Sequence, residues 1–137
     1  MGPKTLAKKI ATLALTKKAH DVIIMDLRKL TDMTDYFVIC SADSDTQVKA
    51  IADTVVDGTE LLGESVWHDE GGSQRQWVLL DYVDVVVHVF HKEIRKYYNL
   101  EKLWGDAKVE KIIDSIPIKR KKSSTREKTK SSAKTRP

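Results

Sequence analysis

Three aspartates and three histidines are the residues here whose types and spacing suit chemistry. Asp81 and Asp84 lie three apart, and Asp26 closes an apolar run, so together they would suit a divalent metal in phosphoryl or nucleotidyl transfer. That chemistry also needs a glycine-bearing loop that lets backbone approach phosphate. Ala42-Asp43-Ser44-Asp45 has no glycine, and Gly71-Gly72 follows Asp69 and Glu70, a poor anion cradle. Asp81 and Asp84 therefore read as turn formers. His88 and His91 point to opposite faces of a regular strand, so with His68 they form no convergent metal site. Cys40 sits in an apolar run with no second cysteine, and reads as a small core residue. We expect no catalytic residue, no metal and no cofactor.

A second constellation survives this sorting. Between Gln76 and Trp104 lie Trp77, Tyr82, Tyr97, Tyr98 and Trp104, interleaved with Asp81, Asp84 and Glu101. Aromatic side chains dominate interface energetics, and acids beside them favour a basic partner. Trp77, Asp81, Asp84, Tyr97, Tyr98, Glu101 and Trp104 are the candidate partner-binding residues. Tyr82 falls on the core side, Trp104 is placed to pin a closing helix, and Trp77 is the best exposed anchor.

Two β-prone runs position this cluster, Gln76–Tyr82 and Asp84–Phe90, joined by a tight turn. On the first, Gln76, Val78, Leu80 and Tyr82 share one face; Arg75, Trp77, Leu79 and Asp81 share the other. On the second, Val85, Val87 and Val89 form an apolar face, opposite Asp84, Val86, His88 and Phe90. The apolar faces belong against a core. The mixed faces suit either a partner or a covering helix layer.

The chain upstream supplies that core. Leu6, Ile10, Leu13 and Ala14 recur at helical spacing within Pro3–Lys18. His20–Leu27 is a strand with both faces apolar, and Asp35–Ser41 is another. Ser44 and Gln47 have capping-box spacing at the start of a helix that Gly63 ends. Gly58 within it costs up to ~1 kcal/mol relative to alanine. Glu64–Asp69 is a short strand, Lys92–Trp104 a helix, and Val109–Ile116 a further short helix. The result is an α/β domain, residues 1–118, with a mixed sheet of about five strands and flanking helices.

Charge divides the chain in two. Residues 119–137 hold nine Lys/Arg against one acid, net +8, and are expected to be disordered. The first 118 hold 15 Lys/Arg and 19 Asp/Glu, net −4. The tail favours nucleic acid; the domain favours a basic protein. A homodimer would also suit the mixed sheet face. One cysteine fits a reducing compartment, no apolar run suits a membrane, and no signal-peptide core is present, so a cytoplasmic protein is expected.

The segments DVIIMDL, DYFVICSADSDTQVKAIAD, HDEGG, WVLLDY-DVVVHVF and YY-LEKLWGDA, in that order, resemble the Iojap family of ribosomal silencing factors over roughly Leu6 to Ala107. The resemblance implies a nucleotidyltransferase-like α/β fold. It implies docking on the large ribosomal subunit, chiefly on large-subunit ribosomal protein fourteen, where the factor blocks joining of the small subunit and silences translation. An active metal-dependent nucleotidyltransferase is the alternative. Many family members carry glycine where Val83 stands. A β-branched residue is strained at positive φ, so a different turn is expected here.

Overall fold

The computed structural model describes residues 1–71 and 76–113. Arg75, Gly72 and the expected tail, 119–137, lie outside the described residues. Ten elements follow in order: α1 (Pro3–Thr16), β1 (His20–Asp26), β2 (Tyr36–Ala42), α2 (Asp45–Leu61), β3 (His68–Glu70), β4 (Trp77–Asp81), β5 (Val85–His91), α3 (Lys92–Tyr98), α4 (Leu100–Leu103) and β6 (Lys108–Ile112). They build one mixed six-stranded sheet, order β3-β4-β5-β2-β1-β6, in which only β2 and β5 pair in parallel.

The two long helices cover one face of this sheet. Leu6, Ile10 and Ala14 of α1, with Val48, Ile51 and Val55 of α2, meet Val22, Ile24, Val38, Val85, Val87 and Val89. Alternation puts those strand residues on one side, as the sequence implied. Tyr82 joins this core, 8% exposed, its hydroxyl 2.8 Å from Thr59 Oγ1. Gly58 has a packing reason: a Cβ there would lie 2.5 Å from a Leu13 methyl carbon of α1.

Local chemistry sets the helix ends. Ser44 Oγ accepts from Gln47 N–H at 3.1 Å, as expected. The reciprocal half differs: Gln47 Oε1 accepts from the Asp43 N–H, and its amide donates to the Lys17 and Lys18 carbonyls. Gln47 thus ties the start of α2 to the end of α1. Gly63, at φ +84°, ends α2 with Gly63 N–H on Glu60 O and Glu64 N–H on Thr59 O.

Four expectations change. The sheet has six strands, because Lys108–Ile112 is not helical but pairs antiparallel with β1. β1 is apolar on both faces and needs a neighbour on that side; its pairing overrides a weak local preference. The charges of Lys108, Glu110 and Lys111 then protect the outer edge. The Glu64–Asp69 strand shrinks to His68–Glu70. The Lys92–Trp104 helix breaks at Asn99, whose left-handed backbone (φ 46°, ψ 61°) closes α3 while its side chain caps α4 through Lys102 N–H.

The fourth is the turn of the β4–β5 hairpin. Val83 does adopt positive φ, +74°. Tyr82 N–H donates to Val85 O, Asp84 N–H reaches back to Tyr82 O, and Asp81 Oδ1 accepts Val83 N–H at 2.7 Å. A two-residue span and three hydrogen bonds impose a γ-turn on valine despite its side chain.

Candidate functional site

The sheet face away from α1 and α2 is only partly covered. Near β1 and β2 a second cluster forms, with Ile23, Met25, Leu27, Ile39 and Phe90 buried beneath Ile94, Leu100 and Trp104. The short helices α3 and α4 end there. Toward the hairpin the same face opens into a groove of about 700 Å³. Phe37 of β2, Leu79 of β4, and Val86 and His88 of β5 lie along it, with Trp104 to one side. Trp67, Met33 and Val83 stand at its margins, 73%, 86% and 55% exposed. Asp81 and Glu70 supply acidity, and among the described residues no lysine or arginine lines the groove.

An aromatic stack borders this hollow. The Trp77 ring lies 4.9 Å from Phe90 and 4.7 Å from Tyr98, centroid to centroid. Its indole N–H donates to His88 Nδ1 at 3.1 Å. Phe37 meets His88 edge-on at 4.6 Å and Trp104 at 6.1 Å. Burial pushes the His88 pKa down to about 4, so the imidazole is neutral at physiological pH.

The seven expected partner-binding residues therefore divide. Asp81 and Trp104 line the groove, and Trp77 and Tyr98 stack beside it. Trp77 is half-buried rather than an exposed anchor, and Trp67 is the more exposed tryptophan. Tyr97 is exposed and packs edge-on against Tyr98. Asp84 is exposed on the turn; its backbone carbonyl accepts from Asp35 and Tyr36. Glu101 is set apart: it pairs with Arg95 at 3.1 Å, and that guanidinium also holds the Asp21 carbonyl and Ser41 Oγ.

Sequence reasoning missed Trp67, Met33, Phe37 and Thr34 as groove residues. Trp67 and Met33 carried a readable signal, a large apolar residue among charged neighbours. Phe37 and Thr34 carried none, since only the parallel pairing of β2 with β5 brings them beside His88 and Val86.

The chemistry-bearing residues are otherwise engaged. Asp26 is held to about 2, chiefly by hydrogen bonds from the Arg28 side chain. Asp81 serves the turn. His91 caps α3 by accepting Glu93 N–H, and His68 bonds Glu70. Burial pushes the Cys40 thiol up to about 12, which leaves it unreactive. Among the described residues no three His, Cys, Asp or Glu side chains gather as a metal site. No helix there is long and apolar enough to cross a membrane.

The fold is thus a mixed α/β sheet with one face covered by α1 and α2 and the other carrying an apolar, acid-edged groove. The family model "Ribosomal silencing factor during starvation" matches residues 2–137. Ribosomal silencing factor RsfS of Bacillus subtilis is 47% identical over 107 residues, 78% of this chain and 91% of that protein. The chloroplastic protein Iojap of Zea mays is 34% identical over 106 residues, 75% of this chain and 45% of that one. A crystal structure of a Chromobacterium violaceum protein superposes with TM-score 0.75 and 33% identity, over 84% of this chain and 96% of the other. The chain belongs to the ribosomal silencing factor family, a family of translation regulators.

Proposed function

We propose that this protein binds the large ribosomal subunit at its intersubunit face and docks there through the groove, chiefly on large-subunit ribosomal protein fourteen. Bound in that position it blocks joining of the small subunit by occupancy alone and represses translation, with no turnover and no cofactor. The observation that carries this reading is the groove: apolar along its length, acidic at its edge, and, among the described residues, without lysine or arginine. Such a surface complements a basic protein and opposes RNA phosphate. The net charge of −4 over residues 1–118 acts in the same direction. The +8 segment from Lys119 onward complements rRNA and adds affinity without choosing the site. Two copies that met through the groove would hide it, so a homodimer would have to part before docking. With this reading goes a cytoplasmic site of action.

Sedimentation with purified subunits tests this. The protein should pellet with large subunits but not with small ones, and should bind isolated ribosomal protein fourteen in preference to protein-free large-subunit rRNA. Preference for bare rRNA would overturn the protein-docking reading.

A further inference from the structure

Two buried side-chain polar atoms among the described residues lack any hydrogen-bond partner, Thr34 Oγ1 and His88 Nε2. Both residues line the docking groove. A buried polar atom without a partner costs about 1–3 kcal/mol, so two at one site call for a reason.

The His88 tautomer is set by its neighbour. Trp77 Nε1–H donates to Nδ1, which must therefore be unprotonated. The neutral ring then carries its proton on Nε2, making that atom a donor in need of an acceptor. Phosphate and carboxylate are acceptors, but the edge of the groove is acidic and, among the described residues, holds no cation to balance them. Lysine and arginine heads offer no acceptor at all. A neutral acceptor remains, and the backbone carbonyl is the one that every residue of a polypeptide supplies.

Spacing describes the rest of the occupant. His88 lies opposite Ile39 of β2, five residues beyond Thr34. Thr34 precedes β2, so at roughly 3.3 Å per residue the two groups stand at most about 16 Å apart, within the reach of about five extended residues. Phe37, Leu79, Val86 and Trp104 lie around the stretch between them. Phe37 is half-buried and edge-on to the imidazole, so access to Nε2 requires a side-chain rearrangement on binding, with Phe37 the nearest ring.

Resting on the docking reading above, we propose that the groove receives an extended polypeptide segment of the basic partner, whose backbone carbonyl accepts from His88 Nε2–H and whose polar backbone also satisfies Thr34. His88 is thus a specificity residue: a donor left unsatisfied in the free protein and satisfied in the complex.

Three variants test it by sedimentation with purified large ribosomal subunits, with thermal unfolding measured in parallel. His88→Leu removes the donor at similar volume, and with it the acceptor of the Trp77 indole N–H; it should stay folded yet bind at least about tenfold more weakly, a change of ~1.4 kcal/mol. His88→Gln retains a donor and should stay within about threefold of wild type. Wild-type affinity in His88→Leu overturns the proposal. Met33→Lys/Trp67→Lys, at exposed groove margins, separates the two readings. If it binds normally, the groove reading fails and this inference with it; if it loses binding while His88→Leu keeps it, only the carbonyl assignment fails. Should His88→Leu not fold, imidazole ¹⁵N–¹H correlation of the wild-type protein decides. The free protein should show the Nε2–H tautomer, and adding purified ribosomal protein fourteen should move that proton downfield. An Nδ1–H tautomer, or an unmoved resonance in the bound protein, overturns the assignment.

Discussion

Val83 and His88 each sit in a state that a free, isolated domain would avoid. Val83 holds φ +74° at the edge of the groove, a conformation that costs a β-branched residue about 1–3 kcal/mol. Val83→Gly should therefore raise stability by about 1 kcal/mol, read from urea denaturation, because relief of strain exceeds the added entropy of the unfolded chain. A loss of stability would show that the turn does not strain valine. His88 titrates near 4 when folded and near its ordinary 6.5 when unfolded. Between those values the unfolded chain binds more protons, so stability is full above pH 6.5 and falls as pH drops toward 4. The shift corresponds to roughly 3 kcal/mol. Denaturation at pH 7 and pH 5 should show this loss in wild type and a smaller one in His88→Leu. The candidate residues were legible as a group, since aromatic and acidic types concentrate after Gln76. Their individual roles were not. Alternation placed Trp77 on the correct face, but the cover supplied by Tyr98 and Phe90 comes from tertiary packing.

At the level of elements, patterning read well where periods were clean. The stripe of α1, the continuous run of β1 and the alternation of β4 and β5 all appear in the fold. It failed where a neighbour decides: Lys108–Ile112 became a strand because β1 had an unpaired edge, and Asn99 split the last helix. The break matters, because it turns Glu101 back onto Arg95. Arg95 is nearly buried, joining α3 to the carbonyl of Asp21 and the hydroxyl of Ser41. Glu101→Lys should thus act on the fold, destabilising by about 2–3 kcal/mol through an unpaired guanidinium facing a like charge. A variant as stable as wild type but unable to bind large subunits would instead make Glu101 an interface residue.

For the whole molecule, the proposed function divides two tasks by charge: the acidic first 118 residues would choose the site, and the basic residues 119–137 would add affinity. Ending the chain at Ile118 should weaken association with large subunits at low salt, and less so as salt rises, while footprints on the subunit stay in place. A moved footprint would give the extension a part in choosing the site. The groove itself is tested most directly by subunit joining. Light scattering during mixing of small and large subunits, with binding measured alongside, should show wild type blocking joining. Met33→Lys/Trp67→Lys alters two exposed groove residues, so the fold should survive while occupancy and blockade fall together. A double variant that still saturates the large subunit and prevents joining like wild type would contradict docking through this groove.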